Sequence, residues 1–119
     1  PNLKNTLAMA KSKNKKIGIA ICPETPVECI KNYLGSIDQL LIMAVKPGFY
    51  GSKFLPETTD KIKQAREINH NLDIEADGGI DLNTIRLAAK AGANMFVSGS
   101  YIIKSNDAKK AVEELKICC

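Results

Sequence analysis

The chain has 119 residues, 45% hydrophobic and 25% charged, with no tryptophan, a composition that fits about one average globular domain. Its 17 Lys and Arg against 13 Asp and Glu leave a net charge of +4, too small and too evenly spread to indicate nucleic acid. No apolar run approaches the roughly 20 residues of a membrane helix, and no charged-then-apolar signal opens the chain, so a soluble, cytoplasmic protein is expected.

Short β-branched runs alternate with segments of helical apolar spacing. Leu3 to Lys11 reads as a helix with Leu3, Leu7 and Ala10 on one face, and Lys11 to Lys16 as a solvated basic connector. Ile17 to Cys22 is the first strand. Thr25, with Pro26 at the first helical position and Glu28 three residues on, forms the pattern of a capping box, which predicts a helix through Ile30 and Leu34 to Gly35. Leu40 to Val45 is the second strand, and Pro56 opens a helix with Ile62, Ala65 and Ile68 on one face. Leu72 to Ala76 is the third strand. The next helix is capped by Asp81, buries Ile85, Ala88 and Ala89, and stops at Gly92. Met95 to Ser98 is the fourth strand, and a final helix with Val112 and Leu115 begins after Asn106 or Asp107. This is βα repetition, and nearly continuous apolar strands predict a parallel sheet buried on both faces.

Chemistry has few places to reside. Cys22, Cys29, Cys118 and Cys119 lack CxxC pairs and disulfide-scaffold spacing, and the single histidine excludes a His-rich metal site. Five glycines, however, stand just beyond strand ends: Gly48 and Gly51, Gly78 and Gly79, and Gly99. In parallel α/β folds the strand C-termini share one rim, where glycine accepts positive φ and lets backbone N–H groups approach a ligand. One such loop is an ordinary turn, but three successive rim loops favour anion binding. Asp77, directly before Gly78, is placed to act as general base or metal ligand, beyond the local capping expected of an isolated Asp-Gly. Glu75 shares its strand face by alternation.

The stretches Pro23-Glu24-Thr25-Pro26, Met43 to Phe54 with its PGFxGxxF core, Glu75-Ala76-Asp77-Gly78-Gly79-Ile80 and Ser98-Gly99-Ser100 occur in an order that resembles the ribulose-phosphate 3-epimerase family. The resemblance runs from about Gly18 to Leu115. It implies an α/β fold of the (β/α)₈ TIM-barrel family with only the second half, about four βα units, in this chain. Residues 1–119 are then a single partial domain: a fragment, a truncated gene product, or a half-barrel that assembles with another copy as a homo-oligomer.

The implied reaction is interconversion of D-ribulose 5-phosphate and D-xylulose 5-phosphate in the pentose phosphate pathway. Acids on opposite faces exchange the C3 proton, and one divalent metal ion (Zn, Fe, Mn or Co type) polarises the carbonyl. Asp77 is the matching catalytic acid and the single matching metal ligand; the two histidines and other aspartate of the family's set have no counterpart here. His70 does not replace them, because it lies between a helix and the following strand, on the opposite rim. The phosphate-binding positions that carry over are Gly48, Phe49, Tyr50, Gly51, Gly78, Gly79, Gly99 and Ser100. Tyr50 stands where a second small glycine is common, Lys46 where an uncharged or acidic residue is usual, and Cys22 where asparagine is common. The same resemblance leaves two alternatives, an allulose-6-phosphate 3-epimerase or a non-catalytic phosphosugar-binding or assembly half-barrel. The isolated chain is expected to be inactive, with a sugar phosphate as its partner and no nucleic acid or membrane.

Overall fold

The computed structural model describes residues 2–48 and 52–119. Phe49, Tyr50 and Gly51, which the sequence assigns to phosphate contact, lie outside the described residues. The helix α1 (Leu3–Ser12) starts on Asn2, whose side chain accepts from the Asn5 N–H, and buries Leu7. The chain then crosses the exposed basic connector, with Asn14 in the left-handed region at φ 52°, and enters β1 (Gly18–Ile21).

No α-helix follows β1. Two single 3₁₀ turns, Val27–Cys29 and Lys31–Tyr33, replace the one expected from Thr25 to Gly35, and no side chain caps the first of them. The cause is tertiary. The Thr25 carbonyl accepts from Lys61 Nζ at 2.6 Å, while Ile30, at φ −121° and ψ −1°, interrupts the helical run. Val27, Ile30 and Leu34 are nevertheless buried, so the segment covers the sheet as a helix would.

The strands β2 (Gln39–Met43), β3 (Asp73–Asp77) and β4 (Met95–Val97) complete a four-stranded sheet, parallel throughout and ordered β1-β2-β3-β4. Between them lie α2 (Thr58–Ile68), seated after Pro56, and α3 (Thr84–Ala91), which ends on Gly92 in the left-handed conformation at φ 115°. Two helices end the chain: α4 (Ser100–Ile103), a single turn absent from the expected elements, and α5 (Ala108–Cys118), capped by Asp107 Oδ1 accepting from the Lys110 N–H.

Strand alternation separates two faces. Leu40, Ile42, Ile74 and Ala76 are fully buried under the helices, together with Leu34, Ile62 and Ala65. On the other face, Leu41, Met43, Glu75 and Asp77 are half-buried, and Met95 and Val97 are 38% and 40% exposed. The expectation of burial on both faces is therefore corrected, since among the described residues no second layer covers this side. At the N-terminal end of the sheet, Arg66 clamps the loops, donating to the carbonyls of Gly92, His70 and Leu72 at 2.7–3.0 Å.

Candidate functional site

The C-terminal ends of the strands gather the predicted residues on one rim. The backbone fixes Asp77 there: the Ala44 N–H donates to the Asp77 carbonyl at 2.7 Å, and the Leu55 N–H donates to the Ala44 carbonyl at 2.7 Å. Its side chain is half-buried on the open face of the sheet and makes no hydrogen bond or ion pair among the described residues. The parallel register sets Met43 and Val97 beside it. Glu75, one pleat further from the rim, is engaged by a hydrogen bond from Gln39 Nε2.

Gly78 and Gly79 leave β3 at φ 115° and 63°, a region that L side chains avoid. A Cβ on Gly78 would stand 2.5 Å from Val45 Cγ2, and one on Gly79 would stand 2.6 Å from the Phe54 backbone nitrogen. Both glycines are required by conformation and by space. Gly48, at φ 93°, is required by conformation alone, whereas Gly99 has φ −104° and open space around it. The predicted glycine positions are therefore unequal, and Gly99 owes nothing to its missing side chain.

Four side chains hold this rim in shape, of which the sequence assigns only Asp81, as a helix cap. Thr84 Oγ1 donates to the Gly79 carbonyl at 2.7 Å and accepts from the Asp81 N–H at 2.8 Å, while Asp81 Oδ1 accepts from the N–H groups of Asn83 and Thr84. Ser98 Oγ donates to the Ile80 carbonyl at 2.8 Å, tying the end of β4 to the loop after β3. Lys61 Nζ donates to the carbonyls of Cys22, Pro23 and Thr25, so a side chain of α2 fixes the loop after β1. Asp81 and Thr84 carry a local signal, spaced as a helix start; the Ser98 and Lys61 contacts span 18 residues or more and have none.

With the Gly79 and Ile80 carbonyls occupied, the Gly78, Gly79 and Ile80 N–H groups have no acceptor among the described residues. Gly79 and Ser100 border the same open groove, about 820 Å³, which also takes in Asp81, Tyr101, Lys104 and Lys110. Ser100 starts α4, so its N–H has no intrahelical acceptor. The arrangement offers backbone donors from two rim loops to one space, the chemistry of an anion site. Partial burial, and then the carboxylates of Glu114 and Asp81, push the Tyr101 phenol above its ordinary pKa.

Metal binding requires more. Among the described residues no group of three His, Cys, Asp or Glu side chains is placed to share an ion. Asp77 supplies one carboxylate with apolar neighbours, and His70 lies at the other end of β3. These residues do not make a metal centre by themselves. No helix among the described residues is long and apolar enough to cross a membrane.

Comparison with known proteins gives the fold its relatives. Residues 1–103 match the ribulose-phosphate 3 epimerase family. Ribulose-phosphate 3-epimerase of Bacillus subtilis (strain 168) is 36% identical over 121 residues, covering 98% of this chain and 56% of that protein. The Escherichia coli (strain K12) enzyme of the same name is 37% identical, with 93% and 51% covered, and that of Buchnera aphidicola subsp. Baizongia pistaciae is 41% identical, with 87% and 47% covered. The chain thus spans about half the length of the curated relatives it matches. Among solved structures, 3-hexulose-6-phosphate synthase superposes with a TM-score of 0.67 at 21% identity over 95% of this chain and 54% of that one. Orotidine 5'-monophosphate decarboxylase from Sulfolobus solfataricus gives 0.67 at 17%, over 98% and 54%. These two share the fold, a parallel sheet of the TIM-barrel type. On the match over residues 1–103 and on these relatives, the chain belongs to the ribulose-phosphate 3-epimerase family.

Proposed function

We propose that residues 1–119 are the second half of a ribulose-phosphate-binding barrel and act in the interconversion of D-ribulose 5-phosphate and D-xylulose 5-phosphate. The observation that carries this reading is the Asp77 carboxylate, without a partner among the described residues, next to Gly78 and Gly79, whose N–H groups have no acceptor among the described residues, in a chain of this family. Gly48, Phe49, Tyr50, Gly51, Gly78, Gly79, Gly99 and Ser100 are the proposed phosphate contacts, with backbone N–H groups donating to the phosphate oxygens.

Asp77 is the proposed proton-transfer acid. As a carboxylate it takes the proton from the carbon next to the carbonyl, and as the carboxylic acid it returns a proton to the same carbon, the opposite face requiring a second acid. A divalent metal would be held by one Asp77 oxygen, with its other ligands not among the residues described here, and would supply polarisation of the carbonyl. The protein is read as cytoplasmic and self-associating. The solitary carboxylate also favours a second reading, a half-barrel that binds a phosphosugar without turning it over.

Calorimetry with inorganic phosphate and with ribulose 5-phosphate tests the assignment. Gly79→Val should weaken binding at least tenfold, while Asp77→Asn should keep or improve it by removing a nearby negative charge. The reverse ranking would overturn the site.

A further inference from the structure

We infer that Thr84 is a positioning residue for phosphate: its hydroxyl sets the peptide between Gly79 and Ile80 so that an N–H, and not a carbonyl, faces the anion. The inference rests on the rim site proposed above and names the group that orients it.

Glycine creates the need. A trans peptide carries its carbonyl and its N–H on opposite sides. Gly79 lacks a Cβ, so its ψ is little restricted and sterics alone do not choose which way the Gly79–Ile80 peptide turns. Turned one way, the unit offers the Ile80 N–H to the groove that Gly79, Ile80 and Ser100 border. Turned the other way, it offers the Gly79 carbonyl, whose partial negative charge repels a phosphate.

One hydroxyl decides between them. Thr84 Oγ1 donates to the Gly79 carbonyl at 2.7 Å and accepts from the Asp81 N–H at 2.8 Å, which uses its proton and one lone pair. The following peptide, Ile80–Asp81, is held at both ends, because Ser98 Oγ donates to the Ile80 carbonyl at 2.8 Å. The Gly79–Ile80 peptide is held at its carbonyl by Thr84 alone, since the Ile80 N–H has no acceptor among the described residues. Thr84 itself is fixed as the first residue of α3, its N–H donating to Asp81 Oδ1 at 2.9 Å. The Ile80 side chain, 4% exposed, anchors the other side of the peptide. The start of a helix is thereby coupled to the direction of one N–H at the rim.

Calorimetry of the purified protein with inorganic phosphate tests the assignment. Thr84→Val keeps the branched shape without the hydroxyl and should weaken phosphate at least tenfold, whereas Thr84→Ser should stay within threefold of the parent. Arg66→Lys, at the opposite end of the sheet, removes hydrogen bonds to the Gly92, His70 and Leu72 carbonyls and should lower stability while leaving phosphate affinity unchanged. In the unaltered protein, phosphate titration should move the Ile80 amide resonance several-fold more than that of Asp81, whose N–H is already bonded to Thr84. Equal affinity in Thr84→Val and the parent, equal loss in Thr84→Ser and Thr84→Val, equal loss in Arg66→Lys, or a shift at Asp81 larger than at Ile80 would each overturn the positioning role while the phosphate site stands. Failure of phosphate to bind the parent would overturn the site itself and this assignment with it.

Discussion

Gly79 and Asp77, two residues apart, differ in what the fold asks of each. Gly79 sits at φ 63° with the Phe54 backbone where a Cβ would go, so Gly79→Ala should cost about 1–3 kcal/mol from the left-handed backbone alone, and the collision adds to it. Asp77 has no partner among the described residues, so Asp77→Asn should change stability by less than about 0.5 kcal/mol. Urea denaturation separates the two. A stabilising structural role for Asp77 would show as a large loss there. Tyr101 makes a pH prediction. Its phenolate is disfavoured in the fold by partial burial and by Glu114 and Asp81, so its folded pKa lies above its unfolded one. The stabilisation is complete at neutral pH, below the unfolded pKa, and is lost as pH rises through the folded value. Tyr101 should ionise late by phenolate absorbance, and Glu114→Gln should bring it earlier.

At the scale of elements, the loop after β1 depends on α2. The Lys61 ammonium collects three carbonyls that a helix capped at Thr25 would have arranged otherwise. Lys61→Met leaves them without that donor and should cost about 1–3 kcal/mol. Hydrogen exchange is the sharper measure: the Thr25 N–H, bonded to the Cys22 carbonyl at 3.0 Å, should exchange faster in the variant while amides in β3 keep their protection. The same contact explains what could be read beforehand. Strands, the Asp81 and Asp107 helix starts and the Gly92 stop were legible because period, capping side chain and left-handed glycine act within a few residues. The helix after Thr25 was not, because a lysine 36 residues away overrides a capping pattern that is locally sound. The glycines of the rim were legible by type, but which of them need to be glycine depends on backbone φ and, at Gly78 and Gly79, on Val45 and Phe54, which only the fold supplies.

For the whole molecule, the decisive feature is that one face of a parallel sheet carries the site and has nothing over it among the described residues. Proton exchange at a carbon next to a carbonyl with inversion needs acids on both faces of the substrate and a group that stabilises the enediolate. On the open face, Asp77 meets the first need on one side, Glu75 is engaged by Gln39 away from the rim, and among the described residues no further carboxylate or histidine joins them to hold a metal. The 119-residue chain alone should therefore show no turnover of ribulose 5-phosphate in a coupled assay, and added Zn²⁺, Mn²⁺ or Co²⁺ should not restore it. Phosphate should still bind, because that function rests on backbone donors the chain retains. At ten times its Kd it should stabilise the fold by ~1.4 kcal/mol, in the Asp77→Asn variant as in the parent, and not in Gly79→Val. Turnover without phosphate-linked stabilisation would place the chemistry elsewhere. Stabilisation without turnover is the outcome expected of a rim that holds the phosphate and one of the two acids.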